Sequence, residues 1–203
     1  MIDKNNIIPA LILFMLPGLF STLYAQDQRL EPFQENGRWG YADSSGKLVI
    51  GARYLLAMTF TSKGLAAVVD DSGWIYINRQ GEKLVRPFIF DNGPDYFSEG
   101  LARYVDNGKM GFFNESGEII IRAIFSFVSP FREGLAAFCT GCQRKASGEH
   151  YSYQGGKWGY IDKQGKVIIK AVFDQASPFE EGVAAVSAAG HRYLINKQGK
   201  IIH

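Results

Sequence analysis

Gly156-Lys157-Trp158-Gly159-Tyr160-Ile161-Asp162-Lys163-Gln164-Gly165-Lys166-Val167-Ile168-Ile169 decides the fold. Aromatic and β-branched residues on both sides of an Asp-x-x-Gly step favour extended chain, and the step itself reads as a turn. An Asx side chain accepts backbone N–H bonds at the start of a type I turn, and glycine supplies the left-handed residue that closes it. The stretch therefore predicts strand, turn, strand. No segment of the chain carries a helical apolar period.

Working outward, the same words return. Copies begin at Gly37-Arg38-Trp39-Gly40-Tyr41-Ala42-Asp43, at Gly73-Trp74-Ile75-Tyr76-Ile77-Asn78 and at Gly108-Lys109-Met110-Gly111-Phe112-Phe113-Asn114. A fifth, worn copy, Arg192-Tyr193-Leu194-Ile195-Asn196-Lys197-Gln198-Gly199, ends the chain. The turn glycines Gly46, Gly81, Gly117, Gly165 and Gly199 are 35, 36, 48 and 34 residues apart by subtraction, so one interval holds about a dozen extra residues. A second landmark keeps phase with them: Lys63-Gly64-Leu65-Ala66, Glu99-Gly100-Leu101-Ala102, Glu133-Gly134-Leu135-Ala136 and Glu181-Gly182-Val183-Ala184. Two landmarks sharing one period mark a tandem repeat.

Each unit spells three short strands: one after the Glu-Gly step, one at the Trp-Gly position, and one after the Asx-x-x-Gly turn. Asn36-Gly37, Asn107-Gly108 and Gly155-Gly156 suit the positive φ of tight turns. Phe97, Phe131 and Phe179 precede the Glu-Gly steps and are expected to plug the corners between units. A three-stranded unit cannot bury its own apolar face, so neighbours must stack. The expected fold is all-β: about five antiparallel meanders in tandem, forming an open superhelical stack or a closed, propeller-like ring.

Composition excludes other classes. The 203 residues are 46% apolar, with 22 Lys+Arg against 20 Asp+Glu, which fits neither a disordered tail nor a nucleic-acid-binding protein. Residues 1–25 read as a signal peptide: Lys4 precedes an apolar run over 7–20, and Ala25 offers a small residue at the cut. Pro9 and Pro17 interrupt that run, which is shorter than a spanning helix requires. The mature chain, 26–203, is then one repeat domain without an integral membrane span, exported to the periplasm, the cell surface or beyond.

The Trp-Gly-Tyr-Ile-Asp strand, the x-x-Gly turn and the downstream Glu-Gly-Leu-Ala resemble the WG-repeat family over about 37–203. Met110 and Arg192 replace the tryptophan, and Ile75 and Tyr193 replace the following glycine. The resemblance implies bacterial β repeats, often exported, with no shared catalytic set and no agreed ligand. Under it, Trp39, Gly40, Trp74, Gly111, Trp158 and Gly159 are structural, as are the five turn glycines.

Candidate chemistry is sparse. Trp39, Trp74 and Trp158, with Tyr41, Tyr76 and Tyr160 two residues on, form either a core spine or an exposed aromatic ladder. Cys139 and Cys142 open the insertion and admit a disulfide, half of a metal site with His150, or a redox pair; export favours the disulfide. Glu99, Glu133 and Glu181 can line up as a calcium or sugar stripe, or cap backbone donors at their corners. His191 and His203 have no partnered acid or nucleophile and read as surface residues. The insertion, a hairpin expected over 140–155, offers Arg144, Lys145, His150, Tyr151 and Tyr153 as contact residues. Together these features point to a non-catalytic exported scaffold that binds a protein or a surface glycan and needs no cofactor. A factor using Cys139 and Cys142, or a purely structural envelope protein, are the alternatives.

Overall fold

A computed structural model describes residues 29–147 and 150–202; the leader expected over 1–25 and His203 lie outside the described residues. The described chain is all-β. Blade I pairs β1 (Glu31–Glu35), β2 (Arg38–Ala42) and β3 (Leu48–Tyr54). Blade II comprises β4 (Leu56–Ala57), β5 (Ala66–Asp70), β6 (Gly73–Ile77) and β7 (Lys83–Val85), and a small hairpin of β8 (Ile89–Phe90) and β9 (Gly93–Pro94) follows. Blade III pairs β10 (Leu101–Asp106), β11 (Lys109–Asn114) and β12 (Ile119–Phe125). Blade IV starts with β13 (Phe127–Val128) and β14 (Leu135–Thr140). The inserted hairpin β15 (Gln143–Ser147) and β16 (His150–Gln154) interrupts it before β17 (Lys157–Asp162) and β18 (Val167–Phe173) complete the sheet. Blade V holds β19 (Gln175–Ala176), β20 (Val183–Ala188) and β21 (His191–Asn196).

The Asx turns form as their spacing predicts. Asp162 Oδ1 accepts the N–H groups of Gln164 and Lys166 at 3.0 and 2.9 Å, and Asp43, Asn78, Asn114 and Asn196 each repeat that pair of bonds. Gly165 then takes φ 80°. A Cβ there would also meet Ile121 of the preceding blade at 3.2 Å, and one on Gly199 would meet Ile169 at 3.3 Å. Turn glycines are thus also contact points between blades.

The glycine after the tryptophan has a different task. None of Gly40, Gly111 and Gly159 has positive φ; each sits where the second strand shifts register against the third. A Cβ on Gly40, Gly111 or Gly159 would lie 2.8, 2.7 or 2.8 Å from the backbone N of Ala52, Ala123 or Ala171. Removing it lets the third strand cross closely and run for seven residues in β3, β12 and β18. Where Ile75 replaces this glycine, β7 stops after three residues. The chain then leaves early for blade III: Phe88 N donates to Arg103 O at 2.9 Å and Val105 N to Arg86 O at 3.2 Å. What looks like wear in the sequence therefore changes the strand path.

Blades are tied in three ways. After β3, β12 and β18 a single residue intervenes before β4, β13 or β19 pairs with the next blade's strand, so each of these connections donates an edge strand forward. Next, core clusters join blades I to II, II to III, III to IV and IV to V. Central strands bury both faces, which explains runs such as Leu135-Ala-Ala-Phe-Cys139 without polar alternation. Among the described residues no core cluster joins blade V to blade I, which is consistent with the open form of the two expected arrangements. Finally, the corner phenylalanines pack on the aromatic at the Tyr position: Phe131 on Phe112 at 4.6 Å, Phe179 on Tyr160 at 4.8 Å, and Phe60 on Tyr41 at 4.7 Å between ring centroids.

That aromatic is the centre of each unit. Tyr41 and Tyr160 are fully buried, and their hydroxyls donate to Met58 O at 2.6 Å and Ser177 O at 2.8 Å. Burial raises both hydroxyl pKa values well above the ordinary tyrosine range, with Tyr54 adding to the effect at Tyr41. Burial and then Asp95 push Tyr76 up to about 12. The tryptophans lie further out: Trp158 is buried, whereas Trp39 and Trp74 are half-buried against their clusters.

Candidate functional site: a groove walled by the inserted hairpin

The insertion leaves blade IV at Thr140 and returns at Lys157, which pair directly across β14 and β17. Cys139 and Cys142 are joined by a disulfide at its base, with Cα atoms 6.0 Å apart. Both residues are buried, at 0% and 9% exposure, and Cys142 lines the groove described below. At its root the hairpin lies on the aromatic core: the Tyr153 ring packs 4.3 Å from Phe127, which in turn meets Trp158 edge-on at 5.6 Å. Two constraints, one covalent and one aromatic, thus fix its direction.

Register pairs Arg144 with Tyr153 and Lys145 with Ser152, so Arg144 and Tyr153 share a face and Lys145 lies on the other. His150 pairs with Ser147 and Tyr151 with Ala146 through the backbone; their side chains lie outside the described residues. The contact residues expected from sequence are therefore divided between two faces.

The Arg144–Tyr153 face closes a groove of about 660 Å³ that runs past three blades. Trp74 and Arg86 of blade II, Phe88 beyond β7, and Lys109 of blade III line the rest. Trp74 is oriented by its indole N–H, which donates to Asn92 O at 3.2 Å. Arg86 donates to Ser72 O and Trp74 O at 3.3 and 3.4 Å, and Lys109 reaches Ser126 Oγ at 3.4 Å. Asp70, behind Arg86, takes Lys83 at 2.7 Å and Arg86 at 3.5 Å on the same oxygen. The Lys83 hydrogen bond holds its carboxyl below the usual range, against the opposing effect of burial. One carboxylate shared by two cations leaves a net positive charge. Tyr153 also borders a second, smaller cavity of about 290 Å³ beside Trp158 and Arg192.

Two of the three repeated glutamates, Glu99 and Glu133, do cap backbone donors, though those of the following blade. Glu99 accepts Gly134 N at 3.1 Å and Glu133 accepts Gly182 N at 3.0 Å, with Lys163 and Lys197 closing ion pairs at 3.0 and 2.9 Å. Burial raises the Glu99 pKa, but the hydrogen bonds from Lys163 and Gly134 outweigh it and the net direction is down. The Lys197 hydrogen bond lowers that of Glu133. This commits Glu99 and Glu133 to stacking. Among the described residues no group of three His, Cys, Asp or Glu side chains can hold a metal ion, and His191 is exposed.

Two arrangements escape sequence reading. The groove joins residues from separate blades, although Gly73-Trp74 and Gly108-Lys109 are equivalent turns that phase alignment would have placed side by side. The other is a buried pair: Arg103 donates to both carboxylate oxygens of Asp95 at 2.7 and 2.8 Å and to Val128 O at 3.2 Å, beneath the Phe88 ring at 4.5 Å. The equivalent positions elsewhere hold Ala137 and Ser129, or Ala185 and Ser177, whose serine Oγ accepts the strand N–H. Two departures eight residues apart in one repeat were the available signal.

No helix among the described residues is long and apolar enough to cross a membrane. No curated protein matches the chain. Among solved structures, one titled "Crystal structure of the eukaryotic initiation factor" is similar at 12% identity and a TM-score of 0.38, over 87% of this chain and 52% of that one. The chain spans about half that structure's length. The signature of the WG containing repeat matches residues 39–74, 76–109, 110–141 and 158–189, leaving out the inserted hairpin and the worn fifth copy. Four copies in phase with blades that share their cores leave one conclusion: the chain belongs to the WG repeat family.

Proposed function

We propose that this protein is a non-catalytic, exported scaffold that binds a protein or a cell-surface glycan through the groove and the inserted hairpin. The observation that carries this reading is the groove itself, whose aromatic and cationic lining is assembled from blades II and III and the insertion. Such a trough suits an extended ligand better than a small substrate held for reaction. Export rests on the leader pattern of residues 1–25.

The test is excision of 143–154, leaving Gly141-Cys142-Gly155-Gly156 to close the β14–β17 hairpin. The variant should keep the wild-type thermal midpoint within a few degrees and lose sedimentation with isolated envelope fragments. Equal co-sedimentation of both proteins would overturn the role of the hairpin. Fractionation should recover the protein outside the cytoplasm, with its amino-terminal sequence beginning at Gln26; recovery only in the cytoplasm with an intact Met1 would refute export.

A further inference from the structure

We infer that the ligand of this groove is an acidic polysaccharide, its carboxylate- or sulfate-bearing rings laid on Trp74, Phe88 and Tyr153 with the charges toward Arg86, Lys109 and Arg144. The inference rests on the scaffold reading above and narrows it to one class.

Charge is the first reason. The groove lining contains three cationic side chains and no acidic one. Of the two buried carboxylates beside it, Asp95 is taken up by Arg103, and Asp70 is shared between Lys83 and Arg86 and cannot neutralise both. Cations beside apolar rings favour an anion that brings its own acceptor oxygens, because charge-assisted hydrogen bonds are about twice as strong as neutral ones.

Shape is the second reason, and it separates a glycan from an acidic peptide. Stacked sheets lie about 10 Å apart, so a trough from blade II to the insertion runs for about 20 Å along the stack. The blade strands along it are already paired on both sides: β10 lies between β11 and residues 86–88, and β14 between β13 and β17; free edges beside it belong to the short two-stranded hairpins β15–β16 and β8–β9. An extended peptide could pair its main chain only along those short hairpin edges and not along the blades that form the rest of the trough. Sugar rings need no edge; they need flat apolar faces held in place. Trp74 is held by its N–H bond to Asn92 O, and Tyr153 is backed by Phe127.

Four titrations test the inference, using the full mature chain with polygalacturonate, dextran and poly-L-glutamate as probes. Polygalacturonate should bind at least tenfold more tightly than dextran. Its affinity should fall several-fold between 0.1 and 1 M NaCl, where the screening length shrinks from about 10 to about 3 Å. Lys109→Glu should weaken it at least tenfold, and Lys47→Glu, the same charge change on exposed blade I, should not. Poly-L-glutamate should bind at least tenfold more weakly than the acidic sugar chain. Equal binding of dextran, equal binding of poly-L-glutamate, or indifference to Lys109→Glu would each overturn the inference. If no polysaccharide binds while excision of 143–154 still abolishes envelope co-sedimentation, the ligand class is wrong and the scaffold stands. If polygalacturonate binds the excised variant as tightly as the wild type, the groove reading itself fails.

Discussion

Replacing Gly159 by alanine should detach the second half of β18. Its backbone is not in the left-handed region, so alanine is conformationally acceptable, and only space opposes it. The added Cβ would sit 2.8 Å from Ala171 N and from Lys170 C, backbone atoms that cannot rotate away. Overpacking of this kind costs about 1–3 kcal/mol if the strand stays in place. If it leaves, the Trp158–Phe173 pairing goes with it. Lost ladder bonds at about 1 kcal/mol each and exposure of Phe173 at about 1.5–3 kcal/mol give a loss of about 3–5 kcal/mol. That is a large part of the 5–15 kcal/mol typical of a domain. Urea unfolding reads the total, and amide exchange over 170–173 reads the local event. Gly51→Ala is the control, since no heavy atom lies within 4 Å of its Cβ position; it should fall within about 0.5 kcal/mol of wild type. Wild-type stability for Gly159→Ala, with 170–173 still protected, would refute the reasoning.

Asp95→Ser alone should cost about 3–5 kcal/mol by stranding the Arg103 charge, whereas Asp95→Ser with Arg103→Ala, the solution used at Ser129 and Ala137, should recover more than half of it in denaturant melts. Phe131→Ala, which empties a fully buried corner, should cost about 3–5 kcal/mol and lower the thermal midpoint. The lowered pKa values of Glu99 and Glu133 mean that their stabilisation is complete above the ordinary glutamate value of about 4.3 and is lost as pH falls through the lower folded values. Thermal midpoints measured from pH 6 to pH 2.5 should therefore drop less steeply for Glu99→Gln/Glu133→Gln than for wild type; parallel curves would contradict the inter-blade role. The Cys139–Cys142 disulfide closes a loop of only a few residues, so reducing it should cost about 2 kcal/mol or less and loosen exchange in β15 and β16 while leaving blade III unchanged.

The architecture was legible because its signals are local. An Asx oxygen and a glycine three residues on specify a turn wherever they occur, and five occurrences in phase specify a repeat. Corner phenylalanines and the disulfide followed from burial and compartment logic that needs no coordinates. The spine was legible only in part, because alternation assigns Trp and Tyr to one face without saying that Tyr lies deeper. The glutamates show a similar limit: their place at a corner is written in sequence, but the N–H they accept belongs to the next blade. The consequence of Ile75 was hidden for the same reason, since it depends on how closely another strand's backbone crosses. The groove is the least legible feature. Trp74, Lys109 and Tyr153 meet only through stacking, and a hairpin's tilt depends on Phe127, which no local pattern ties to it.

Native-state amide exchange in a urea series tests the shared-core account most directly, because it reads every blade in one experiment. The central strands of blades II, III and IV should open with one common free energy, equal to that of global unfolding. A blade whose strands exchange at a separate, lower free energy while its neighbours stay closed would contradict a stack held together by cores that neighbouring blades share.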